Sequence, residues 1–143
     1  GTNFRCGEVG HMTVVPDGEA CCCRKNGCLD AYCAAECLTD ERVEDFFERL
    51  KQKEPEAVSL WEQYTSYLAV AVNNIHMVLD CEIVLGGYVG SCMGEFIRDI
   101  RSKVSDRNTF AEDGSFIRCC THKTGAAALG ASLKVIEQFM EQV

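Results

Sequence analysis

The stretch Gly7–Ala35, GEVGHMTVVPDGEACCCRKNGCLDAYCAA, decides how the rest of this chain is read. It contains one histidine and five cysteines, and four of these six residues have spacings that suit one metal ion. His11 comes first, Cys21 and Cys23 bracket one residue, and Cys28 follows a short Arg24-Lys25-Asn26-Gly27 turn. One imidazole and three thiolates make a closed tetrahedral set of the kind that structural zinc takes. Carboxylates flank the cluster, Glu8 before it and Asp30 just after it.

Working outward, the 143 residues suffice for one domain with its own core. Hydrophobic content of 47% and a mean hydropathy of -0.07 indicate a soluble chain. No segment reaches the roughly 18 apolar residues of a membrane span. The richest run, Leu68–Leu79, is broken by Asn73, Asn74 and His76. Gly1–Cys6 is polar with no apolar signal segment after it, and Gly1 without a preceding Met suggests an artificial start or a cut within a longer chain. Net charge is -8 with a pI near 4.8. The fourteen basic residues are scattered and outnumbered by acids. A nucleic-acid surface needs them clustered, so neither direct nucleic-acid contact nor membrane contact is expected.

Eleven cysteines in a secreted chain would read as a disulfide framework. Here several cluster at metal spacing, and Cys33, Cys37, Cys92, Cys119 and Cys120 fall within helix or strand patterns as small buried apolar residues. A reducing, cytoplasmic setting fits both groups.

Met12–Val15 is a short β-branched run closed by Pro16-Asp17-Gly18, a strand followed by a turn. The composition of Cys28–Cys37 favours a helix. Thr39 is an N-cap candidate for the next, with Asp40 and Glu41 in its first turn and Val43, Phe46, Phe47 and Leu50 on one face. Pro55 opens a long helix in which Ala57, Trp61, Tyr64, Leu68, Val72, Ile75 and Leu79 keep helical spacing. Leu68–Val72 is apolar nearly all round, so this helix is expected to be covered on more than one side.

Glu82–Leu85 reads as a strand ending in Gly86-Gly87, and Ser91 as the cap of a helix carrying Met93, Phe96, Ile97, Ile100 and Val104. Ser105–Ser115 reads as loop and Phe116–Thr121 as a second strand. From Gly125 a last helix carries Leu129, Leu133, Ile136, Met140 and Val143. The chain thus divides into a zinc loop (7–37), a helical segment (39–80) and a βαβα segment (81–143). It is an α/β arrangement whose strands should be parallel.

GEVGHMTVV, the His11-Cys21-Cys23-Cys28 loop closing in GCLDAY, and IVLGG followed by GAAALGAS together resemble the ROK family. That family groups repressors, uncharacterised reading frames and sugar kinases. The resemblance covers nearly the whole chain. It implies part of an actin-like (ribonuclease H-like) ATPase/sugar-kinase lobe, with a zinc-binding loop and a small sheet packed by helices. It also implies that His11, Cys21, Cys23 and Cys28 hold structural zinc, that Glu8, His11 and Asp30 contact sugar hydroxyls, and that Gly86 and Gly87 form the nucleotide turn. Asp30 stands where the family usually has a glutamate. The family's general-base aspartate and main phosphate loop belong to an earlier half that is not in this sequence, so no catalytic residue is assigned.

Two functions follow from the resemblance. One is the sugar-sensing, oligomerising region of a transcriptional repressor, which would take a sugar or sugar-phosphate effector, form a homo-oligomer and meet DNA only through a separate N-terminal domain. The other is the C-terminal half of a glucokinase- or N-acetylhexosamine-kinase-type enzyme that uses ATP. Asp30, and Tyr88 in the glycine turn, favour the repressor. A third possibility is a zinc-stapled domain whose ligand site has decayed.

Overall fold

Trp61 marks the centre of the packing in a computed structural model that describes residues 3, 7–110 and 113–142. Its indole is 2% exposed and lies within 6 Å of three other rings: Phe47 at 5.3 Å, Tyr64 at 5.7 Å and Phe96 at 5.8 Å between centroids. The indole Nε1–H, which burial would otherwise leave without water, donates to Asp99 Oδ2 at 2.7 Å.

The helices that meet there are α1 (Asp30–Cys33), α2 (Val43–Lys51), α3 (Pro55–Leu79), α4 (Gly87–Cys92) and α5 (Ile97–Ser105). The α2 stripe buries Phe46, Phe47 and Leu50, each worth about 1.5–3 kcal/mol of transfer free energy. Pro55 occupies the first turn of α3, as its fixed φ suggests. Along α3, Ala57, Trp61, Tyr64, Thr65, Ala69, Ala71 and Val72 are buried, so the helix is covered on more than one side. Buried Thr65 keeps its hydroxyl satisfied by donating to the Trp61 carbonyl one turn back.

Strands β1 (Ile83–Leu85) and β2 (Ile117–Cys119) pair in parallel, Ile83 opposite Ile117 and Leu85 opposite Cys119. The crossover through α4 and α5 separates them. Arg101 ties α5 to the sheet by donating twice to the Ile117 carbonyl, at 3.1 and 2.6 Å. Helix α6 (Ala126–Met140) follows. Its stripe keeps the expected spacing but not the expected burial, with Leu133, Ile136 and Met140 exposed by 50%, 52% and 71%. Val143, the last member of that stripe, lies outside the described residues, as do 111 and 112 in the Ser105–Ser115 loop.

Several local expectations are corrected. Met12–Val15 forms no strand; one antiparallel bridge, Thr13 to Cys28, replaces it because the segment wraps the cysteine loop. The Cys28–Cys37 helix breaks after Cys33, where Ala34 is extended, and resumes as a 3-10 turn over Ala35–Cys37. Thr39 caps no helix: its hydroxyl accepts from Glu41 N in a local turn, and α2 begins at Val43 with Glu44 and Asp45 in its first turn. Ser91 lies inside α4 and donates to the Tyr88 carbonyl three residues back, and a 3-10 turn over Met93–Phe96 joins α4 to α5. Cys33, Cys37, Cys92, Cys119 and Cys120 are half-buried rather than buried, at the margins of the core. No helix among the described residues is long and apolar enough to cross a membrane.

Candidate metal centre

The loop that carries the cysteines is a short irregular hairpin. Ala20 and Asn26 form an antiparallel bridge, Cys21 N donates to the Lys25 carbonyl and Arg24 N closes a turn onto the Cys21 carbonyl. Gly27 is needed at its place: φ is +78°, and a Cβ there would run into the carbonyl of Val15. Gly27 O in turn accepts from Val14 N and Val15 N, so the Met12–Val15 segment lies along the hairpin. These bonds bring residue 11 to residues 21–28.

Together they gather His11, Cys21, Cys23 and Cys28, one ligand atom from each, all within 4.8 Å of one another. His11 Nδ1 is 3.8 Å from Cys21 Sγ, and Cys23 Sγ is 3.6 Å from Cys28 Sγ. A tetrahedral zinc with bonds of about 2.3 Å to sulfur would set neighbouring sulfurs about 3.8 Å apart. The donor set and its spacing therefore fit a possible metal site. Cys22, the extra cysteine of the run, is outside the four but only 3.9 Å from Cys21, sulfur to sulfur.

The electrostatics are compatible with a cation at this place. Burial, with help from the neighbouring thiols of Cys23 and Cys21, pushes the Cys28 thiol up to about 12. Cys21 moves the other way, down to about 7, chiefly because the Cys23 backbone N–H donates to it. Three adjacent thiols cannot all ionise without a positive partner, and a divalent ion supplies one. Protons must therefore leave when metal binds. Affinity for zinc should fall as pH falls, on the order of tenfold per pH unit for each proton displaced. Competition titration with a chromophoric chelator between pH 8 and 6 measures that slope.

The hairpin is moored to α3 by aromatic side chains. The Tyr32 hydroxyl accepts from Glu19 N at 2.7 Å while its ring packs on Tyr67 at 4.3 Å. Tyr64 donates its hydroxyl to the Cys33 carbonyl at 3.0 Å. Sequence reasoning assigned no role to Tyr32, although GCLDAY contained it; its role becomes visible only when the hairpin and α3 are adjacent.

Asp30, the first residue of α1, comes to the edge of the His/Cys cluster: its Oδ2 is 3.8 Å from His11 Nδ1. Gly10 makes room, since a Cβ there would collide with the Asp30 carboxylate. Glu8 is exposed and its carbonyl accepts from His11 N at 3.1 Å, so Glu8 and His11 span one 3-10 turn. A cavity of about 350 Å³ between the hairpin and α3 is lined by Glu19, Tyr32, Gln63 and Tyr67, and none of Glu8, His11 and Asp30 lines it. Gly86 and Gly87 form a separate feature at the end of β1. There α4 packs on the 3-10 turn Lys123–Gly125, and a Cβ on Gly87 or Gly125 would meet nothing.

The small parallel sheet, the glycine turn at its strand's end and the cysteine hairpin beside an acid-bearing turn belong to an α/β lobe that resembles part of sugar kinases of the actin-like fold. The chain belongs to the ROK family, whose model matches residues 1–138. It is 28% identical to a glucokinase of Halalkalibacterium halodurans, over 96% of this chain and 50% of that protein. It is 27% identical to a xylose repressor of Bacillus spizizenii, over 96% of this chain and 38% of that protein. Among solved structures, a ROK hexokinase from Thermus thermophilus superposes with a TM-score of 0.73 at 26% identity, covering 90% of this chain and 48% of that one. The chain thus spans half or less of the length of these relatives, which include both kinases and repressors.

Proposed function

We propose that this chain is the sugar-sensing and oligomerising lobe of a ROK-family transcriptional repressor, held by structural zinc and without catalytic activity by itself. The observation that carries the sugar-binding part is the meeting of Asp30 and His11 at 3.8 Å on the rim of the cysteine cluster. A metal that fixes the hairpin fixes this carboxylate, and the turn bearing Glu8, as rigid acceptors for sugar hydroxyls. The repressor assignment draws on the bulky Tyr88 directly after Gly87, where the kinases tend to have a smaller residue, and on the shortened acid Asp30. The xylose repressor is a relative of matching kind.

In the intact protein, Glu8→Ala should weaken binding of the effector hexose or pentose by on the order of tenfold or more, as the loss of a charged acceptor would. Calorimetry with xylose, glucose and N-acetylmannosamine measures this; an unchanged affinity removes Glu8 from the site.

A second reading, the C-terminal half of a sugar kinase, draws on the open space over Gly87 and Gly125, which suits a nucleotide's approach. Gly86 and Gly87 would then hold ATP. The lobe alone should still transfer no phosphate to a hexose. ATP-dependent turnover by the 143-residue chain would overturn the first reading and place a general base within it.

A further inference from the structure

The small sheet is finished on one side only. Strand β1 bonds to β2 through Ile83 and Leu85: Ile83 N donates to the Phe116 carbonyl, and the Leu85 carbonyl accepts from Cys120 N. Strand backbones alternate, so the N–H and carbonyl of Val84 point away from β2. Among the described residues no third strand stands there. The outer edge of β2 is occupied instead. Ile117 N donates to the Gly114 carbonyl, and the Ile117 carbonyl accepts twice from Arg101.

The two faces show the same asymmetry. Ile83, Leu85 and Ile117 pack on the core, whereas Val84, 59% exposed, and Arg118 opposite it face water. Parallel strands are almost always covered on both faces. Helix α6 is bare as well. It buries no residue, and its main packing is on the Lys123–Gly125 turn that precedes it. At about 100° per residue, Val135, Phe139, Ile136, Leu129, Met140 and Leu133 fill an arc of about 160°, with Lys134, Glu137 and Gln138 on the other side. One packed neighbour takes an arc of about 100°, so this one is wide enough for more than one.

We propose that the open edge of β1 and the apolar arc of α6 both dock the remaining half of a ROK-type polypeptide. That half adds a parallel strand beside Val84 and encloses α6 in an apolar groove. The match covers 50% of the glucokinase and 48% of the hexokinase, so each carries about as much chain again outside it. The xylose repressor, matched over 38% of its length, carries more. The inference therefore holds for a repressor and for a kinase alike.

Other occupants fit the surface less well. A second copy related by a two-fold axis would bring its β1 up antiparallel. Its own outer face would be equally bare, so neither copy would be closed. A membrane surface favours helices rich in Lys and Arg. The polar side of α6 has Lys134 against Glu137 and Glu141, in a chain of net charge -8.

The test introduces Ile136→Asp together with Phe139→Asp, both in the 143-residue chain and in the intact polypeptide. In the 143-residue chain the thermal midpoint should move by no more than about 2 °C, because both side chains already face water. In the intact polypeptide the same aspartates meet the groove, and the midpoint should fall by roughly 5 °C or more. Hydrogen exchange reads the sheet edge independently. The Val84 amide should exchange at least about a hundredfold more slowly in the intact polypeptide than in the 143-residue chain. Equal midpoint shifts in the two proteins, or equal exchange at Val84, overturn the proposal. Sedimentation showing a dimer of the 143-residue chain that the aspartates abolish would make a second copy the occupant and overturn it too. Binding to phosphatidylglycerol vesicles that the aspartates abolish would do the same in favour of a membrane. None of these measurements depends on bound zinc or sugar, so their outcome is separate from that of the proposed function.

Discussion

Replacing Cys28 with alanine is expected to strip the chain of its metal. Cys28 is 2% exposed and its sulfur faces that of Cys23 at 3.6 Å, so under the proposed zinc reading the variant would lose one of the four candidate ligands. Apparent free energies of structural zinc binding are about 10–16 kcal/mol, and most of that depends on a complete ligand set. Metal analysis should find about one zinc per wild-type chain and close to none in the variant. The damage should be local. Amides of the hairpin, such as Leu29 N bonded to Met12 O and Gly27 N bonded to Glu19 O, should exchange rapidly in the variant, while those in the middle of α3 remain protected. Retained zinc, or protection unchanged in the hairpin, would contradict the assignment of Cys28.

The second large effect belongs to Trp61. Truncation to alanine removes a ring that touches Phe47, Tyr64 and Phe96, and it leaves Asp99 without the indole donor. Large-to-small changes of this kind cost about 3–5 kcal/mol. Against a total stability of about 5–15 kcal/mol, that is a substantial share of the fold. Thermal denaturation followed by circular dichroism should show the midpoint falling by about 10 °C or more. Trp61→Phe separates the two contributions. It keeps an aromatic ring and loses the bond to Asp99, so its cost should be about 1–2 kcal/mol. A Trp61→Ala midpoint within a degree or two of wild type would mean that the aromatic cluster does not organise this core.

Much of this was readable in the sequence, for physical reasons that can be named. The spacing of Phe46, Phe47 and Leu50, and the long run from Pro55, fixed α2 and α3 because a helix period repeats over many residues. The parallel pairing of β1 and β2 followed from a helical crossover between two short apolar runs. The His/Cys cluster that could hold a metal was visible because cysteine and histidine are chemically distinctive and four of them fell at ligand spacing.

What escaped was set by tertiary contacts. Met12–Val15 has the composition of a strand, but its backbone partners are Gly27 and Leu29, which leave room for one bridge. Thr39 is a good cap by composition, yet its hydroxyl is used by Glu41, two residues before α2 begins at Val43. The break after Cys33 follows the docking of that turn on Tyr64, which accepts from the Cys33 thiol through its carbonyl at 3.5 Å. Helix α6 was read correctly from periodicity, and periodicity could not say what covers it. Val135 and Phe139, off or at the margin of the predicted stripe, are exposed by 65% and 67% as well.

The central claim is that a metal clamp holds a sugar-reading turn in place. Calorimetric titration of the intact protein with a panel of glucose, xylose and N-acetylmannosamine, before and after zinc is removed under reducing conditions, tests it most directly. The account predicts that at least one of these sugars binds the zinc-loaded protein and that the same sugar binds the metal-free protein weakly or not at all, with affinity restored by zinc. Sugar affinity that is unchanged when the metal is removed would contradict it.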